Sequence, residues 1–209
     1  MPKQTSSLLV RNLERTIIER DIAYDATIEA WTRALDKRDK ESAGHTQNVM
    51  EMSMRLAKEF GLGPDQIPHV QRGALLHDIG KIGIPDVVLH KTSSLSGEEW
   101  ALVRRHPQIA YDILSPIAYL FPALDIPHYH HEKWDGTGYV YGLKGDQIPL
   151  TARIFAVVDV YDSLTSERPY RKAWLEGKAR EYIQEQSGKH FDPAVVEVFL
   201  REFQHIIKK

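Results

Sequence analysis

Apolar positions along this chain recur at intervals of three and four and almost never alternate, so helices are predicted throughout. One long helix is predicted from Ser7 to Asp36. Val10, Ile17, Tyr24 and Trp31 recur there every seven residues, with Leu13 and Ala34 on the same side. Arg20 and Thr27 are poor seam residues, which argues against a strict coiled coil. A second helix is predicted from Ser42 to Phe60, with His45, Val49, Met52, Leu56 and Phe60 on one face and Glu41 one turn earlier. Gly61-Leu62-Gly63-Pro64 stops it and starts a third, whose stripe is Ile67, Val70, Ala74 and His77. That helix is predicted to stop near Gly80, ahead of the rigid exit Ile82-Gly83-Ile84-Pro85.

Ser96-Gly97-Glu98-Glu99 is a capping-box signature, followed at helical spacing by Trp100, Val103 and His106. Pro107 should kink or restart that helix before Ile109, Ile113 and Leu114. A short helix from Pro122 is predicted to end in His130-His131. The turn-rich stretch Asp135 to Gly145 reads as a loop or small hairpin. Further helices are predicted over Thr151–Leu164, Ala173–Gln186 and Pro193–Ile207, the last opened by Asp192-Pro193. The expected fold is all-α: residues 1–30 form a signalling or dimerising helix and residues 31–209 one helical domain.

Composition narrows the function classes. A chain of 209 residues with net charge -2 has no basic field for duplex nucleic acid. No apolar run is long enough to insert into a membrane, and Met1-Pro2-Lys3-Gln4 opens without a secretory core. Cysteine is absent, which removes disulfides and thiolate metal sites and fits a cytoplasmic protein.

The chemistry sits in His77-Asp78 and His130-His131, with Asp159 interrupting another apolar run. A buried unpaired carboxylate costs several kcal/mol or is neutralised, about the scale that metal coordination removes. Each residue alone has a plainer explanation: a histidine on an apolar face is usually a satisfied core residue. Their joint placement on several helices favours a metal site. The candidate ligands are Glu41, His45, His77, Asp78, His106, His130, His131 and Asp159. One octahedral ion takes about six ligands, so two or three divalent ions are expected. Nitrogen and oxygen donors alone leave iron, manganese and other first-row metals open. Asp78 could bridge two ions roughly 3.5–4 Å apart, where a shared water ionises near neutral pH and attacks phosphorus. Lys81, one turn after His77, could stabilise charge on a phosphate oxygen. Arg168 and Arg171 could fork onto a second phosphate. Tyr139, by its loop position, could approach a substrate, and Asp162 is grouped with the substrate contacts. His69, His90, His128, His190 and His205 are left as surface or structural residues, and Asp36 and Asp39 as helix-end residues.

From about Trp31 to Phe199 these residues resemble an HD-GYP domain, a branch of the HD phosphohydrolase superfamily. The matching stretches are Arg38 to His45, Leu75 to Pro85, His106-Pro107, His130 to Tyr139, Gly142 to Pro149 and Asp159 to Thr165. The resemblance implies hydrolysis of cyclic dinucleotides, chiefly cyclic di-GMP, to pGpG and in some members on to GMP. It also implies that Glu41 matches the third-metal position of trinuclear members, and that Lys81, Arg168 and Arg171 contact phosphate. Iron or manganese is favoured. An upstream sensor or a GGDEF-type partner is an expected companion, with a homodimer through the first helix. The naming triplet reads Gly138-Tyr139-Val140 instead of Gly-Tyr-Pro, which bears on loop order and substrate selection more than on metal binding. Rival readings are a cyclic GMP-AMP-selective phosphodiesterase, a dinucleotide-sensing relay with little turnover, and another HD-type phosphohydrolase acting on nucleotides such as guanosine tetraphosphate.

Overall fold

The computed structural model describes residues 2–39, 44–167 and 172–207, with side chains from residue 9 onward. Its helices are α1 (Pro2–Asp39), α2 (His45–Glu59), α3 (Ile67–Leu75), α4 (Asp86–Leu89), α5 (Gly97–Val103) and α6 (His106–Leu114). They continue with α7 (Asp125–Tyr129), α8 (Leu150–Thr165), α9 (Glu176–Glu185), α10 (Pro193–Arg201) and α11 (Phe203–Ile206). Short 3₁₀ turns cover Ile79–Gly83, Ala118–Ala123 and Gly145–Gln147. Among the described residues there is no strand, only an isolated bridge between Ser187 and Phe191. None of their helices is long and apolar enough to cross a membrane.

The predicted boundaries hold where local chemistry sets them. Ser96 and Glu99 form the reciprocal capping box that starts α5. Asp192 accepts from the Ala194 N–H at the start of α10. Pro107 sits in the first turn of a new helix, α6, so the proline restarts the chain instead of kinking it. The region from Asp135 to Gly145 is the expected loop, closed by a 3₁₀ turn. Two details differ. The helix preceding the histidine pair begins at Asp125, and His130 caps it from outside. The segment after Pro193 breaks between Arg201 and Phe203.

The core is built from α2, α3, α7, α8, α9 and α10, with α2 packed against both α3 and α8. Phe155, Phe191, Phe199, Leu56 and Ile183 are fully buried there. α8 is buried on nearly every side, which explains an apolar run without clean helical periodicity. α1 behaves differently along its length. Ile28, Thr32 and Leu35 are buried against the domain, whereas Val10, Leu13, Ile17, Tyr24 and Trp31 stay exposed. The seven-residue stripe is therefore not the face that packs on the domain.

Gly80 sets the closest approach in the fold. A Cβ there would lie 1.8 Å from the His106 carbonyl oxygen and 2.7 Å from the Ala110 nitrogen. The absent side chain lets the turn after Asp78 slide beneath α6. Gly177, in the first turn of α9, has nothing within 4 Å of its ideal Cβ. Gly80→Ala should thus cost about 3 kcal/mol or more by overpacking, lowering Tm by roughly 6–12 °C. Gly177→Ala should gain up to about 1 kcal/mol and raise Tm slightly. Thermal unfolding followed by circular dichroism checks the pair, and equal Tm values would contradict the account of Gly80.

Candidate metal centre

Backbone carbonyls near helix ends fix the imidazoles first. His77 Nδ1 lies 2.8 Å from the Ala74 oxygen, His106 Nδ1 2.7 Å from the Val103 oxygen, and His130 Nδ1 3.0 Å from the Ile126 oxygen. A carbonyl only accepts, so each Nδ1 carries a proton, and Nε2 is the nitrogen left to bind an ion when the ring is in its neutral form. His45 Nδ1 lies 2.7 Å from Asp162 Oδ2, with the same consequence. Two of these nitrogens converge: His106 Nε2 and His130 Nε2 are 3.3 Å apart. With both Nδ1 atoms donating to carbonyls, that contact places two lone pairs face to face, an arrangement a cation between them would satisfy.

Asp78 completes the pattern. Its Oδ1 is buried and accepts no hydrogen bond, although His106 Nε2 stands 3.3 Å away. Its Oδ2 lies 3.1 Å from His77 Nε2. The donors fall into two groups, Asp78, His106, His130 and His131 in one, and His45, His77 and Asp159 in the other; within each, the ligand atoms lie within 4.8 Å of one another. His45 Nε2 is 3.3 Å from Asp159 Oδ1. Asp78 faces one group with each oxygen and so could be shared between two ions. Phe155 floors the site, its ring centroid 4.9 Å from that of His77 and 5.9 Å from that of His130. The orphaned oxygen, the all-N/O donor set and the facing lone pairs fit divalent first-row ions.

Electrostatics point the same way. Burial, then the neighbouring His106 and His77, push His130 down to about 3. Burial and His130 hold His131 well below its ordinary value. Both rings are neutral and can bind metal without losing a proton. Burial works to raise Asp159, but the hydrogen bond and charge of His45 outweigh it and bring the carboxyl down to about 2. Burial works likewise on Asp78, where Lys81 and then His77 hold the carboxyl well below its usual range. Burial works to lower His77, yet the charge and hydrogen bond of Asp78 prevail and raise it. The centre between these groups attracts positive charge.

Lys81 reaches this centre, its Nζ 2.7 Å from Asp78 Oδ2 and 2.5 Å from Asp39 Oδ2. Asp39 is the last residue of α1, so its helix-end position also makes it a support for Lys81. Next to it, Arg38 donates to the Lys81 and Ile84 carbonyls at 2.8 and 2.6 Å. The sequence reading missed both contacts because they join positions more than forty residues apart. Asp162, expected against substrate, is buried instead. It accepts from His45 Nδ1, from Asn48 Nδ2 at 3.1 Å and from Ser166 Oγ at 3.2 Å. Such a carboxylate fixes the tautomer and tilt of a ligand histidine.

Tyr139 stacks on His131 with centroids 4.7 Å apart. Gly138 makes this possible, because a Cβ there would lie 2.4 Å from the Lys133 nitrogen and 2.6 Å from the His131 oxygen. Glu132 then ties the loop down. Its buried carboxylate accepts from the N–H groups of Tyr141 and Leu143, at 2.7 and 3.0 Å. Glu132 follows the histidine pair in sequence, but nothing local betrays its partners nine and eleven residues on. His128 is buried against Tyr111 and Tyr141, a structural place as expected. Glu41, Arg168 and Arg171 lie outside the described residues.

Known proteins resemble this arrangement. The HD domain family profile matches residues 29–195. A cyclic di-GMP phosphodiesterase of Vibrio cholerae is 39% identical over 207 residues, covering 92% of this chain and 42% of the relative. A 3'3'-cGAMP-specific phosphodiesterase of the same organism is 38% identical over 176 residues, covering 83% of this chain and 34% of the relative. This chain therefore spans less than half the length of either. The crystal structure of a V. cholerae cyclic GMP-AMP-specific phosphodiesterase superposes with a TM-score of 0.67 at 21% identity, covering 85% of this chain and 48% of that one. The helical fold is shared.

Removing Asp162 tests the support given to His45. Asp162→Ala should weaken Mn²⁺ affinity by roughly 10–100-fold with helical content retained. Competition against a fluorescent chelator measures this, and affinity within twofold of the parent would contradict it.

Proposed function

The chain belongs to the HD domain family, and from that premise we propose that it is a metal-dependent phosphodiesterase of cyclic dinucleotides, with cyclic di-GMP as its leading substrate. One observation carries the reading: two groups of donors meet at the single carboxylate of Asp78. His45, His77 and Asp159 would hold one ion, and His106, His130 and His131 a second, with Asp78 common to both. Iron or manganese suits these donors, and Glu41 is the candidate for a third ion. When bound, such ions polarise a phosphate oxygen and make a water nucleophilic near neutral pH.

The chain's own groups supply the rest. Lys81 brings an ammonium to the edge of the centre, where charge develops on the phosphate oxygens during hydrolysis. Asp39 and Asp78 hold that ammonium in place. Phe155 closes the apolar floor beneath His77 and His130, excluding water from that side. Asp159 remains partly open to solvent, which leaves a side for substrate to approach. Arg168 and Arg171 are the proposed grip on the second phosphate. A cyclic GMP-AMP preference is the second reading, supported by the near-equal identity to relatives named for either substrate.

Turnover of cyclic di-GMP and cyclic GMP-AMP by metal-loaded protein, with products separated by chromatography, tests the proposal. Asp78→Ala should lower kcat by orders of magnitude while far-UV circular dichroism is retained. Lys81→Ala should cost roughly 100-fold in kcat, and Asp39→Asn a smaller loss in the same direction. Turnover unchanged in Asp78→Ala, or absent for both substrates in the parent, would contradict the assignment.

A further inference from the structure

A groove of about 580 Å³ opens beside the metal centre between α5 and the loop after the histidine pair. Trp100, Arg104 and Arg105 form one wall, Tyr139 and Val140 the other, and no carboxylate lines it. Its size falls in the range of small-ligand sites. Trp100 and Arg104 are one helical turn apart and share a face. The Arg104 guanidinium lies between two rings, 6.0 Å from the Trp100 centroid and 5.4 Å from that of Tyr139. Trp100 is 48% exposed, so its ring face is open to a ligand entering the groove.

Tyr139 links the groove to the chemistry, because the ring that lines it also stacks on the ligand His131. A cyclic dinucleotide with one phosphate at the metal centre must place two flat bases and a second phosphate outside it. Flat aromatic faces bracketing guanidinium groups suit that chemistry: bases stack on aromatic rings, and arginine forks pair with phosphate oxygens. From this geometry we infer that the groove of Trp100, Arg104, Arg105 and Tyr139 is a nucleobase subsite that selects dinucleotides over smaller phosphodiesters. This rests on the phosphodiesterase reading above. Val140 forms part of the wall, so the one break in the Gly-Tyr-Pro triplet falls at the subsite and not among the metal ligands.

The test compares cyclic di-GMP with bis(p-nitrophenyl) phosphate, which offers a phosphodiester but no purine. Trp100→Ala and Arg104→Ala should each raise KM for cyclic di-GMP about tenfold, the loss expected for one base stack, with a smaller change in kcat. The ratio of kcat/KM for the dinucleotide to that for the small diester should fall about tenfold or more. Trp100→Phe, which keeps a stacking face, should return KM to near the parent value. KM and the ratio both within twofold of the parent in both alanine variants, or parallel losses on both substrates, would overturn the subsite while leaving the phosphodiesterase reading intact. A parent protein that cleaves the small diester but neither cyclic dinucleotide would overturn both.

Discussion

Three backbone carbonyls decide what the centre of this protein can hold. The oxygens of Ala74, Val103 and Ile126 fix the Nδ1 protons of His77, His106 and His130, which leaves their Nε2 lone pairs turned inward. Asp162 does the same for His45. In an apolar interior a convergence of imidazole nitrogens and carboxylates is costly unless each finds a partner. The buried, unsatisfied oxygen of Asp78 adds to the deficit. Divalent cations held in the two donor groups would satisfy these atoms together. The folding of α3, α6, α7 and α8 around Phe155 can then be understood as the means of bringing them together.

Much of this was legible in the sequence because it rests on local rules. The helix stripes, the Ser96–Glu99 capping box and the Asp192 cap follow from side chains within four residues of one another. Among the candidate ligands, His77, Asp78 and Asp159 stood out because they end or interrupt apolar stretches. The division of the candidates into two groups joined by Asp78 was not legible, since it depends on how α6 crosses the turn after Asp78 over Gly80. Asp39, Arg38 and Glu132 escaped for the same reason: a carboxylate at a helix end or a glutamate beside a histidine has many uses, and only packing selects one. Asp162 was misjudged because helical spacing puts it on the Asp159 face, but His45 stands between the two and turns Asp162 into a support.

α1 joins this centre to the outside of the domain. Its last turn grips the turn after Asp78 through Arg38 and Asp39, and Thr32 donates to the Leu75 carbonyl at 3.0 Å. Its earlier turns carry an apolar face that the domain leaves exposed.

The most direct test is the metal content of the protein purified without oxygen, measured by elemental analysis against a quantified protein concentration. The account predicts two or more divalent first-row ions per chain, with both shared sites depleted in Asp78→Ala. A folded parent protein that binds no more than one such ion, even after reconstitution with iron or manganese, would contradict it.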